Sequence, residues 1–176
     1  MNQLFAPWRI EWVEREDDSD GCAFCDLPER GVDREAKIVA RSEFSFCLLN
    51  NSPYNPGHAM VIPYRHTGEY GDLTDEELLD HSKLTQRTLR AIGDGLDPDG
   101  CNTGMNLGHA AGGSIADHIH THVVPRWKGD TNFMAVIGET KVIVEAIEDT
   151  YEHLHEAFAA QEGTRERGPD EAVVIE

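Results

Sequence analysis

Gly112-Gly113-Ser114-Ile115-Ala116-Asp117-His118-Ile119-His120-Thr121-His122-Val123-Val124-Pro125-Arg126-Trp127 places three of the chain's nine histidines at alternate positions. On a β-strand successive side chains point to opposite faces, so His118, His120 and His122 share one side. Ile119, Thr121 and Val123 then face the other side, against a core or a helix. Three imidazoles gathered on one face repel when protonated together, and packing alone does not call for them. Two chemistries fit. The three histidines hold a catalytic metal ion and its activated water, or one imidazole attacks phosphorus while its neighbours steady the phosphate oxygens. The small residues Gly112, Gly113 and Ser114 just upstream favour the second, because they let backbone N–H groups approach an anion closely.

Working outward, the segment 118–124 reads as a strand that Pro125 stops. Upstream, Cys101 to Leu107 reads as another strand and Gly108 to Gly113 as a loop. Three apolar runs, Ile38 to Ala40, Phe44 to Leu49 and His58 to Ile62, predict further strands; the turn-rich residues 50–57 between the last two make them antiparallel. Thr74 with Glu77 is a capping box that opens a helix, its stripe formed by Leu78, Leu84, Leu89, Ile92 and Leu96 and its end marked by Gly93 and Gly95. Ile143, Ile147, Leu154 and Phe158 space a second helix, on which His153 and His155 are expected to be solvated. Residues 14–20 form a solvated acidic stretch behind an N-terminal arm holding Trp8 and Trp12, and residues 161–176 read as a loose tail. Strands followed by a helix argue for an α+β fold with an antiparallel sheet.

The chain has 176 residues, one domain's worth. No apolar run approaches the roughly 18 residues of a spanning helix, which excludes a membrane anchor of that kind. No secretory signal is visible, so a cytoplasmic location is expected. The balance of 15 Lys and Arg against 33 Asp and Glu gives a formal net charge of −18, with lysine only at Lys37, Lys83, Lys128 and Lys141. Such a surface suits a halophilic protein, kept soluble where concentrated salt screens like charges. It also disfavours nucleic acid as a partner, because that binding relies on basic patches. Cys22 and Cys25, with two residues between them in a cytosolic chain, read as a metal or redox pair; Cys47 and Cys101 read as small buried hydrophobes.

His118-Ile119-His120-Thr121-His122-Val123-Val124 resembles the His-φ-His-φ-His-φ-φ signature of the histidine triad (HIT) superfamily, apart from the polar Thr121. Ser45 to Asn50 and Pro56-Gly57-His58-Ala59-Met60-Val61-Ile62-Pro63 are similar to that family's nucleotide-pocket strands. Leu4-Phe5-Ala6-Pro7-Trp8-Arg9 with the later Cys-x-x-Cys resembles the branch of dinucleoside polyphosphate hydrolases and diadenosine tetraphosphate phosphorylases. The resemblance implies a HIT fold over residues 1–160, with an antiparallel sheet of about five strands, two main helices and an arm clamped by zinc, followed by a flexible acidic tail at 161–176. It implies cleavage of a nucleoside polyphosphate at the α-phosphate through a nucleotidyl-histidine. His120 would be the nucleophile, and His122 and Ser114 would stabilise charge. Leu48, Asn50, Asn106, Gly113, Ser114 and His122 would bind the nucleotide, with His58 buried near the active strand. A structural zinc would sit on Cys22, Cys25, His66 and His118, while Mg²⁺ would accompany the substrate only. A homodimer or larger homo-oligomer is expected. The alternatives are a nucleoside phosphoramidase or nucleotidyltransferase, a nucleotide-sensing module, and a metal-dependent hydrolase using the three histidines.

Overall fold

The computed structural model describes residues 21–112, 115–130 and 146–176. Two short helices come first, α1 (Ala23–Asp26) and α2 (Asp33–Ala36), followed by β1 (Ile38–Arg41), β2 (Ser45–Leu49) and β3 (Ala59–Pro63). The long helix α3 (Asp75–Leu96) leads to β4 (Gly100–Met105) and β5 (Thr121–Arg126). Helix α4 (Ile147–Ala159) and the strands β6 (Thr164–Arg165) and β7 (Val173–Ile175) complete the order. The strands form one sheet, ordered β4-β5-β3-β2-β1-β7-β6. All neighbours are antiparallel except β1 and β7, which run parallel.

Strands β1 to β5 are those the sequence predicts, and the sheet then gains two more beyond β1. The stretch 161–176, read as a flexible tail, supplies both. Its apolar end explains the difference: Ala172 and Val173 are buried, and Val173 pairs with Ala40 on β1. Asp33 secures the same end, accepting the Ala172 N–H while holding the Arg41 guanidinium.

Helix α3 starts at the predicted capping box: the Thr74 hydroxyl accepts from the Glu77 N–H, and the Glu77 carboxylate accepts from the Thr74 N–H. It ends where its glycines mark the end, with Gly93 and Gly95 in the last turn. It runs to Leu96, and a Cβ on Gly95 would stand 2.9 Å from the His153 carbonyl oxygen of α4, so this glycine lets two helices close on each other. Pro125 does not stop the last strand. Strand β5 has by then run past β3, whose pairing ends at Val123, and the Pro125 carbonyl is taken by the Asn55 side chain. A residue without an N–H is tolerated there.

Strand alternation divides the interior in two. Cys47, Leu49, Val61 and Val123 pack against Leu84 and Ile92 of α3 and Leu154 and Phe158 of α4, forming the helix-side core. Ile38, Phe46, Leu48, Met60 and Ile62 face the opposite way and meet Phe24 of α1. Cys101 is half-buried beside the helix-side core. Trp8, Trp12, the 14–20 stretch and Ile143 lie outside the described residues.

Candidate active site and metal centre

The site lies on the face away from the helices. Leu48 pairs with Met60, Met60 with His122, and His122 with Gly104, so four strands put these residues in one row across the sheet. Asn50 follows β2, half-buried, its Oδ1 accepting from the Ser52 N–H. Asn106 follows Met105, the partner of Thr121, also half-buried. His118 and His120 precede β5 rather than sit within it, yet they keep the predicted face. Phe24 lies edge-on to both, and the His120 and His122 rings are 4.8 Å apart. On the reverse face, Val123 enters the helix-side core and the Thr121 hydroxyl lies 2.7 Å from His81 Nε2. Gly113 and Ser114 lie outside the described residues.

Hydrogen bonds set the tautomer of each ring. His120 Nδ1 stands 2.9 Å from the His118 carbonyl oxygen. A carbonyl only accepts, so His120 carries its proton on Nδ1 and leaves the Nε2 lone pair for chemistry. His120 is 5% exposed, and burial holds its pKa below the ordinary histidine value, partly offset by that same hydrogen bond. The imidazole is therefore neutral near pH 7, the form able to act as a nucleophile. His58 Nδ1 accepts from the Tyr54 N–H at 3.0 Å, which puts the His58 proton on Nε2. That proton is donated to His122 Nδ1 at 2.9 Å, leaving His122 with an Nε2–H to offer an anion beside His120. The two rings thus have opposite capacities, one accepting at Nε2 and the other donating there.

His118 faces elsewhere. Its Nε2–H donates to the Pro63 carbonyl at 2.8 Å, and its Nδ1 lies 3.3 Å from Cys22 Sγ and 3.6 Å from Cys25 Sγ. His66 Nδ1 lies 3.3 Å from Cys25 Sγ, and all four ligand atoms fall within 4.8 Å of one another. Zinc bonds of about 2.3 Å to sulfur and 2.0 Å to nitrogen give a tetrahedral S···N edge of about 3.5 Å, so these separations fit. A carbonyl on the far nitrogen is also the usual orienting contact of a ligating histidine. Without a cation, burial and the neighbouring Cys22 push the Cys25 thiol up to about 11. Two adjacent sulfurs with this histidine pair would hold Zn²⁺ well.

The HIT domain family model matches residues 32–129. The chain belongs to the HIT family. AP-4-A phosphorylase of Mycobacterium tuberculosis is 41% identical over 169 residues, covering 92% of this chain and 86% of that protein. Bis(5'-adenosyl)-triphosphatase of Dictyostelium discoideum is 35% identical over 55% of this chain and 64% of its own length. Among solved structures, a Zn-bound histidine triad family protein from Mycobacterium smegmatis superposes with a TM-score of 0.64 at 30% identity, covering 79% of this chain and 94% of that one.

Some side chains outside the motif are placed by the fold alone. His81 is 3% exposed, buried behind the active strand. Its spacing to Leu84, Thr88 and Ile92 on the buried stripe was the available signal. His155, expected in solvent, is buried and donates from Nε2 to the Glu171 carbonyl, because the C-terminal strands cover α4. Arg126 is paired with Asp130 through two nitrogens, which holds that carboxyl below the usual range.

Proposed function

We propose that this HIT protein is an enzyme that cleaves dinucleoside polyphosphates at an α-phosphate through a nucleotidyl-His120 intermediate. The observation that carries the reading is the opposed pair of tautomers: a neutral His120 with Nε2 open for attack beside a His122 that presents Nε2–H. His120 Nε2 forms a bond to the α-phosphorus while the bond from that phosphorus to the leaving nucleotide's oxygen breaks. His122 donates to the phosphate oxygens as charge builds, with Ser114 and the Gly113 backbone adding donors. An acceptor oxygen then displaces the imidazole, transferring the nucleotidyl group and restoring His120. Leu48 walls the base, while Asn50 takes the ribose hydroxyls and Asn106 the phosphates. The likeness to AP-4-A phosphorylase favours inorganic phosphate as acceptor.

Zinc on Cys22, Cys25, His66 and His118 would clamp α1 to the active segment and take no part in the transfer. The metal-hydrolase reading has less support, because the three triad imidazoles bond in three directions: to the cysteines, to a carbonyl and to His58. Mg²⁺ would arrive with the substrate. The outer side of β4 is an edge of the sheet among the described residues, and a second copy pairing there would give a homodimer. The −18 charge supports a cytoplasmic protein adapted to high salt, with nucleotides rather than nucleic acid as partners.

Incubation with diadenosine tetraphosphate in high salt, with and without phosphate, tests the proposal. ADP and ATP formed only with phosphate mark a phosphorylase, and AMP with ATP formed without it marks a hydrolase. No turnover, or turnover surviving in His120→Ala, overturns the proposal.

A further inference from the structure

The turn that carries the metal cysteines also carries a side chain that reaches the proposed nucleophile. Phe24 lies between Cys22 and Cys25 in sequence and is 6% exposed. Its ring centroid is 5.6 Å from that of His118 at an interplanar angle of 87°, and 5.1 Å from that of His120 at 64°. Both are edge-on arrangements of the favoured kind. The same phenylalanine packs with Phe46, Leu48, Met60 and Ile62, the apolar residues of the site face. Helix α1 spans four residues and has no side-chain cap at its start. So short a helix has little stability of its own, and the position of Phe24 depends on what holds the two cysteines.

Resting on the reading of His120 as nucleophile, we infer that Phe24 is a positioning residue which walls the His120 imidazole, and that the metal on Cys22 and Cys25 holds this wall in place. One edge of His120 is then fixed by its bond to the His118 carbonyl and its flank by the Phe24 ring, so the imidazole keeps the attacking geometry. The clamp thereby acts on the chemistry without touching the substrate: losing the metal frees the turn, withdraws the ring and opens His120 to water and to rotation. The coupling passes through one side chain, and either end can be broken separately.

The test compares Phe24→Ala and Phe24→Leu with the unaltered, zinc-loaded protein. Zinc content is measured, together with carbethoxylation of individual histidines followed by peptide mass spectrometry and with steady-state kinetics on diadenosine tetraphosphate. His109, whose side chain is 86% exposed, serves as the internal reference for labelling. In Phe24→Ala with zinc still bound, His120 labelling rises several-fold relative to His109 and kcat falls roughly tenfold, with KM changing less than about threefold. Phe24→Leu restores most of both. Stripping zinc from the unaltered protein with a chelator, while circular dichroism reports a folded chain, raises His120 labelling to a similar extent. Unchanged labelling and kcat in zinc-loaded Phe24→Ala overturn the inference, as does a rise in KM alone, the mark of a residue that only lines the base. Protection of His120 that survives zinc removal in the folded protein overturns the coupling. Labelling does not depend on catalysis, so a fully active His120→Ala would sink the nucleophile reading while leaving the Phe24 contact measurable.

Discussion

The two faces of the active segment hold alternate residues of one short run, yet they are built on different principles. Toward the helices, Val123 fills space against Leu84 and Ile92, and its environment asks only for an apolar group of the right volume. Away from the helices, the ring nitrogens are committed by direction: His118 to Pro63 and the cysteines, His120 to the His118 carbonyl and His122 to His58. There the direction of each proton matters, and no isostere reproduces it. Thr121 crosses this division, a polar group on the packing face, and its partner is the buried His81. Packing tolerates approximation; tautomers do not.

The metal centre is where the comparison breaks hardest. With zinc on the proposed site, chelation leaves two sulfurs and two imidazoles without their common partner, and Cys25→Ser takes away one of the four ligands. Several kcal/mol of stability goes with it, read as a lower urea midpoint, because metal affinity and folding are linked. On the helix side, Leu84→Ala removes a side chain that is 1% exposed. It costs about 2–5 kcal/mol, and kcat per folded molecule stays unchanged. A comparable loss of kcat at that position would show that the faces are not separable.

His81 sharpens the contrast through pH. Burial holds its pKa down at about 4 against an ordinary 6.5, with the nearby Asp80 pulling weakly the other way. Between those values the unfolded chain binds a proton that the folded chain refuses. Stability is therefore fullest above pH 6.5 and declines as pH falls toward 4, by up to roughly 3 kcal/mol. His81→Leu combined with Thr121→Val flattens that slope in urea titrations across the same range. The smallest expected effect is His58→Phe, which keeps a ring beside Tyr54 but cannot donate to His122. It also loses the acceptor of the Tyr54 N–H, but the orientation of the His122 proton is what bears on chemistry, so kcat falls about 10- to 100-fold with little change in KM.

Much of this was legible beforehand, for reasons particular residues make plain. Alternating histidines, the Thr74–Glu77 capping box and the Asn50–Gly57 turn are local signals, and the elements they announce are all present. Cys22, Cys25, His66 and His118 are spread over 97 residues of chain and were assembled by family resemblance; the geometry brings them together. What stayed hidden depends on long-range contact. Residues 161–176 look polar until Ala172, and nothing local says that Val173 will run beside β1. Gly95 marks the helix end, but nothing local says that it faces the His153 carbonyl, 58 residues away. Phe24 looks like any apolar residue in a turn until the fold sets it against His120.

Rapid quenching of the reaction with diadenosine tetraphosphate, followed by peptide mass mapping, tests the central claim most directly. The account predicts a nucleoside monophosphate on His120, formed and lost within one turnover and missing in His120→Ala. An adduct on any other residue, or no adduct with turnover persisting in His120→Ala, would contradict it.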